Sequence, residues 1–387
     1  MADRLRGHCP STLKAAVRRA YGRDMSSDHS LLVEVPALGD FVELLGSHGY
    51  VVVGPTLRDG VVVLDEITTY DSALVDLGVA TSPGSYRTID HPGSRFGGIV
   101  GPDSPKRWMS PPDRVAWTAR EVESRIEVDV ASPPGRRAYF GLRPCDVAAR
   151  EILGNFWPSH PDDLLVVAEC TSPTETCFCA SMGTGPGADG RGDVILTELG
   201  DGRVLARSGS DRGAVLLAKV QGVEASSAEI ALAEERVSAA AESMTRAIDP
   251  RAARVALEGG RESEVWADVA ERCLACSNCT MVCPTCFCVT ISDTSDLTGT
   301  VARRIRWDSC FTPGFSEIHG GPHRASVASR YRQWASHKFS TWWDQFGSAG
   351  CVGCGRCIAW CPVGIDITTE VNRIVAEAGI VEEVVHA

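Results

Sequence analysis

The chain has 387 residues, 44% of them hydrophobic and 23% charged, with a formal net charge of −12 at pH 7. That length supports two or three domains with their own cores, and the acidic balance argues against a general nucleic-acid binder, whose affinity comes from Lys and Arg on phosphates. No run of about 18 apolar residues offers a membrane span, and "MADRLRGHCPSTLKAAVRRAYGRD" at the start lacks the apolar stretch of a secretory signal. The 16 cysteines are therefore expected in a reducing, cytoplasmic setting, where metal binding prevails over disulfides.

In chain order, "PALGDFVELLGSH" has helical spacing and "GYVVVGP" reads as a buried strand. "VVVLDEI" follows an Arg-Asp-Gly turn, which suggests a hairpin. Residues 71–112 are rich in Gly, Pro and Ser and read as a long surface excursion. "RAYFGLR", "DVAAREILGNFW" and "DDLLVVAE" then form a strand–helix–strand unit, which predicts a parallel pair. "DVILTEL" and "RVLARSG" flank Gly200-Asp201-Gly202 as a hairpin. Residues from about 221 to 272 are Ala- and Glu-rich and read as two helices. The fold expected is an α/β N-terminal domain (1–220), a helical connector (221–272) and an α+β C-terminal dicluster ferredoxin-like domain (273–387). The last carries a structured insertion at about 289–349, too rich in tryptophan to be a disordered linker. Between Val301 and Ser340 seven cations (Arg303, Arg304, Arg306, Arg324, Arg330, Arg332, Lys338) face two acids, Asp308 and Glu317. Charge alone reads this stretch as a solvated face, with an acidic docking partner as the alternative.

The strongest chemical signal is Cys273-x2-Cys276-x2-Cys279-x3-Cys283-Pro, repeated as Cys351-x2-Cys354-x2-Cys357-x3-Cys361-Pro. This is the bacterial ferredoxin spacing for [4Fe–4S] clusters, in which three thiolates on a tight loop reach one cluster and the fourth binds the other. Crossed ligation assigns Cys273, Cys276, Cys279 and Cys361 to one cluster, and Cys351, Cys354, Cys357 and Cys283 to the second. A zinc site with four cysteine ligands needs two CxxC pairs, not two four-cysteine runs each ending in Pro.

A second constellation lies upstream. Cys145 and Cys170 each follow the C-terminal end of a predicted parallel strand, where ligand sites form, and the next loop delivers Cys177 and Cys179. These four suit a third [4Fe–4S] cluster or a group of packed, buried thiols, and the pattern leaves both open. The Thr-Cys-Phe-Cys of residues 176–179 recurs at 285–288, but the flanks differ, so this is not a domain repeat. Cys286, Cys288 and Cys310 are three thiols without an evident fourth, and Cys9 is remote from them; their role stays open. "GTGPG" at 183–187 follows no strand and is not a dinucleotide fingerprint, no P-loop is present, and the glycines between His319 and His323 forbid a metalloprotease helix.

"RPCD" (143–146), "CTSPTETCFCASMGTGPG" (170–187), "CSNCTMVCPTCFC" (276–288), "RWDSCF" (306–311) and "GCVGCGRCIAWCPVGIDI" (350–367) together resemble the iron–sulfur beta subunit of cytoplasmic [NiFe] hydrogenases of the sulfhydrogenase or NAD(P)-linked type. The equivalent electron-transfer subunit of anaerobic sulfite reductases is similar. The resemblance implies a non-catalytic electron-transfer subunit with a flavin/NAD(P)-binding partner that carries FAD, and hydrogenase small and large subunits beyond it. A stand-alone ferredoxin-like carrier is the reading from another class, disfavoured by the large N-terminal domain.

Overall fold

The computed structural model describes residues 30–98, 101–131 and 135–380; Cys9 and the Arg-rich start lie outside the described residues. The first strands are β1 (Ser30–Val33), β2 (Val51–Arg58), β3 (Val61–Glu66), β4 (Leu77–Ser82), β5 (Ser85–Asp90), β6 (Asp113–Val122) and β7 (Arg125–Val130). There follow β8 (Arg137–Leu142), β9 (Leu164–Ala168), β10 (Val194–Glu198), β11 (Val204–Ser208), β12 (Val223–Glu224), β13 (Val289–Ser295) and β14 (Val301–Trp307). The main sheet has the order β12-β1-β11-β10-β9-β8-β2-β3. Its four middle strands, β10, β9, β8 and β2, are parallel, and antiparallel strands close both flanks.

Parallel strands covered on both faces need near-continuous apolar sequence, and β8 (RAYFGL) and β9 (LLVVA) supply it with Phe140, Leu142, Leu164, Val166 and Val167 all fully buried. Each such side chain contributes roughly 1.5–3 kcal/mol on burial. Helix α1 (Val35–Ser47) packs Phe41 edge-on against Phe140, with ring centroids 5.9 Å apart. Helix α2 (Pro144–Leu153) joins β8 to β9 as the spacing predicts, and Cys145 lies in its first turn. The register of β8 slips after Phe140 at Gly141, whose φ of 73° and close approach to Phe96 and Pro55 require glycine. Both predicted hairpins form: β2–β3 turns at Asp59-Gly60, and β10–β11 spans Gly200-Asp201-Gly202.

Two expectations need correction. The region from 71 to 112 is not a surface excursion: β4 and β5 pair, Thr81 is buried, and its hydroxyl lies 2.8 Å from those of both Thr174 and Thr176. Gly84 N–H also donates to Ile358 O at 3.0 Å, so this hairpin is wedged between the first Thr-Cys-Phe-Cys loop and the second ferredoxin run. The connector holds three helices, not two: α4 (Ser227–Ser243), α5 (Pro250–Gly259) and α6 (Val265–Arg272), with α3 (Asp211–Leu217) before them. The break falls at Asp249-Pro250 because Pro cannot continue a helix but starts one well, and Asp249 Oδ1 accepts from Arg251 N and Ala252 N. The insertion is structured, and it pairs beyond its own segment. β13 and β14 share a four-stranded sheet, order β13-β14-β6-β7, with the 113–130 hairpin of the N-terminal half.

The basic stretch is divided between surface and interior, with Arg306 exposed. Arg330 and Lys338 are buried, and Arg303 and Arg304 form surface ion pairs with Asp293 and Asp113. A second core, separate from that of the sheet, gathers Trp266, Phe311, Tyr331, Trp334, Phe339, Ile358 and Val371 around the cysteine runs. It is built from α5, α6, α7 (Val327–Ser336) and α8 (Ile367–Glu377).

Candidate metal centre

The two ferredoxin runs fold alike. In the first, Ala275 and Ser277 are left-handed (φ 50° and 69°); in the second the equivalent Gly353 and Gly355 are too (φ 63° and 72°). Each left-handed pair curls the loop so that successive cysteines face inward, and a single helical turn follows, Asn278–Met281 or Arg356–Ala359. The amide two residues on points at the first sulfur in both: Ala275 N to Cys273 Sγ and Gly353 N to Cys351 Sγ, each 3.4 Å. Ile365 N adds a 3.3 Å bond to Cys361 Sγ. N–H···S bonds of this kind stabilise charge on sulfur.

Two pockets result. Cys273, Cys276, Cys279 and Cys361 line the first, with Phe311, Tyr331 and Trp334 among its apolar walls. Cys283 from the first run joins Cys351, Cys354 and Cys357 from the second in lining the other. Cys357, Trp334 and Ile367 line both pockets, so they share a wall. Burial pushes the Cys279 and Cys357 thiols well up and that of Cys351 up to about 12. Thiols in such surroundings ionise only when a cation compensates them, so metal binding would release protons. Among the described residues no three His, Cys, Asp or Glu side chains close on a single metal ion. Four-thiol pockets with apolar walls and N–H···S bonds fit a cluster.

The upstream quartet is also brought together. Cys145, Cys170, Cys177 and Cys179 are all buried at the C-terminal edge of β8 and β9. Desolvation is the main cause of their raised thiol pKa values, and repulsion from Cys170 and Cys354 adds to it at Cys177 and Cys179. Cys145 and Cys179 pack with Val352 and Cys354 of the second run. The loops interlock: Phe178 N–H donates to Gly353 O at 2.8 Å, and a Cβ on Gly355 would stand 2.2 Å from Thr176 O. Gly355→Ala combines a left-handed backbone with this clash and is expected to cost roughly 2–4 kcal/mol. Ser277→Gly, at the equivalent but open position, should stay within about 1 kcal/mol of the parent. Denaturant midpoints compare the two, and an unaffected Gly355→Ala protein would contradict the interlock.

Sequence reasoning missed the polar scaffold. Asp146 and Arg356 are 0% and 3% exposed and form a two-pronged ion pair, at 2.8 Å and 3.2 Å, tying "RPCD" to the second run. Arg356 Nε also donates to Gly101 O at 3.2 Å. Lys338 and Lys106 are buried beside the cysteines as well. The sequence places Lys338 in an apparent basic patch and gives Asp146 no visible partner, since 210 residues separate it from Arg356. Cys286 contacts Cys283, and Cys288 contacts Cys310; the second contact, with Lys338, lowers the Cys288 thiol to about 7.

Fold and donor set define an iron–sulfur protein with two ferredoxin-type cysteine runs. Residues 272–365 match the 4Fe-4S dicluster domain family. The chain is 31% identical over 277 residues to sulfhydrogenase 2 subunit beta of Pyrococcus furiosus, a match that spans 67% of this chain and 81% of that protein. The chain belongs to the sulfhydrogenase beta-subunit family, whose iron–sulfur clusters serve electron transfer. Among the described residues no helix is long and apolar enough to cross a membrane.

Proposed function

We propose that this chain relays single electrons from a flavin/NAD(P)-binding partner to a [NiFe] hydrogenase module, or in the reverse direction. Cys273, Cys276, Cys279 and Cys361 would hold one cluster, Cys351, Cys354, Cys357 and Cys283 a second, and Cys145, Cys170, Cys177 and Cys179 a third. The observation that carries this reading is contiguity: the first pocket shares a wall with the second, and the second touches the quartet. Exposed Cys276 puts one end of the series at the surface.

When bound, [4Fe–4S] groups supply one-electron acceptance, which complements the two-electron chemistry of a flavin. The chain's own residues do the rest. They fix the spacing, exclude water with the aromatic walls, and direct N–H donors at Cys273, Cys351 and Cys361. The cysteines act as ligands, not as nucleophiles.

The test is anaerobic purification of the native complex. Co-purification of a flavin protein with the hydrogenase large and small subunits is expected, with about twelve irons on this chain. About eight would remove the third cluster, and a siroheme partner in place of the hydrogenase would transfer the reading to sulfite reduction. A chain that came down alone would be a free carrier.

A further inference from the structure

The second pocket differs from the first by a buried ammonium. Lys338 lines it beside Cys283, Cys351, Cys354 and Cys357 and is 4% exposed, whereas no cationic side chain lines the first. It sits on a π-helical turn, His337–Thr341, between α7 and the short helix Trp342–Phe346. Such turns are rare and concentrate at functional sites. Lys338 Nζ donates to Thr285 Oγ1 at 2.6 Å, and Thr285 Oγ1 donates in turn to Gly350 O at 2.6 Å. Gly350 N–H returns to Lys338 O at 2.7 Å, and Nζ lies 4.8 Å from the Trp342 ring centroid.

None of these partners is anionic, and no described carboxylate forms an ion pair with Lys338. The ionisable groups that face it are thiols, those of Cys283, Cys286 and Cys351. A buried ammonium with no counter-charge is costly, so the thiolate-bound group is its natural counter-ion. Arg356, the cation beside Cys354, is already neutralised by Asp146. Lys106, over the Trp307 ring and bonded to Met281 O at 3.1 Å, faces Cys286 and Cys283 and acts with the same sign.

We propose that Lys338 sets the direction of the relay: its ammonium raises the reduction potential of the cluster held by Cys283, Cys351, Cys354 and Cys357 above that of the cluster held by Cys273, Cys276, Cys279 and Cys361. The inference rests on the ligation proposed above. The physics is charge. A [4Fe–4S] group with four thiolates is a dianion when oxidised and a trianion after taking one electron, with no bond made or broken and no proton required. A fixed positive charge in a low-dielectric wall stabilises the trianion more than the dianion. Lys338 acts through the cluster and is a positioning residue, not a catalytic one.

The experiment is an anaerobic redox titration of the holoprotein with dithionite and mediators, following the reduced-cluster resonances. Cys276→Ser and Cys354→Ser assign the signals to the first and second pockets. In the parent, the second-pocket signal should develop at the higher potential. Lys338→Met should lower its reduced-to-oxidised ratio at fixed potential at least about tenfold, equivalent to about 59 mV for a one-electron couple. The first-pocket midpoint should stay, and Lys338→Arg should restore the second. An unmoved midpoint in Lys338→Met, an arginine variant that behaves like methionine, or a parent in which the first pocket reduces before the second would each overturn the proposal. If Lys338→Met fails to retain iron, the parent's order and the Lys338→Arg midpoint decide. If neither cysteine variant alters a signal, the ligation itself fails, and that result is distinct from an unshifted midpoint.

Discussion

Cys283→Ala is expected to damage the cluster of the other cysteine run. Its reduced-state spectrum should match that of Cys354→Ala and differ from that of Cys276→Ala, with a loss of roughly one to four irons. The reason is placement. Cys283 stands one turn beyond Cys279, next to Pro284, and lines the pocket of Cys351, Cys354 and Cys357 rather than that of its own loop. Thr285 Oγ1 lies 3.3 Å from its sulfur, and Cys286 together with Lys338 holds its thiol well below the ordinary range. A Cys283→Ala spectrum resembling that of Cys276→Ala would refute crossed ligation. Iron analysis alone would not separate the two outcomes, which is why the comparison variants are needed.

The second large effect is expected at Asp146→Ala, far in sequence from either ferredoxin run. Its side chain is fully buried against Arg356, which lies between Cys354 and Cys357. Removing the carboxylate leaves a guanidinium with one carbonyl partner, Gly101 O, in a dry site. Breaking a buried pair in this way costs roughly 3–5 kcal/mol. The expected result is a lowered unfolding midpoint together with loss of the second-pocket cluster, followed by thermal denaturation and by the visible absorption of the holoprotein. Asp146→Ala combined with Arg356→Met should recover part of the stability, because a nonpolar pair replaces an orphaned charge. A double variant no better than the single would show that the two side chains act independently.

Much of the scaffold was legible in local sequence. The hairpins of β2–β3 and β10–β11 carry their turn residues, and the β8–α2–β9 unit alternates apolar strand with helix, so each is written within about 30 residues. The ferredoxin spacing is as local: ligand geometry fixes the intervals between Cys273, Cys276, Cys279 and Cys283, and the Ala275/Gly353 and Ser277/Gly355 pairs share one backbone conformation. What went unread depends on partners distant in the chain. β13 and β14 find β6 and β7 across nearly half the sequence, and neither hairpin names the other. The excursion at 71–112 looked like surface because Gly, Pro and Ser punctuate it, yet Thr81 and Gly84 are held by Thr176 and Ile358.

The sequence by itself determined the chemistry, because the cysteine intervals and left-handed turns needed to wrap a cluster are short-range properties of the backbone. Only the tertiary structure decided the electrostatics and the order of the sites. Whether a lysine is a solvated charge or a buried counter-ion depends on what packs over it, and that is how Lys338 moved from a basic stretch into the wall of the second pocket. The contact of the Cys145 quartet with Cys354 and Val352 likewise exists only because one sheet edge and one ferredoxin loop, separated by two helices and more, pack face to face and exclude water between them.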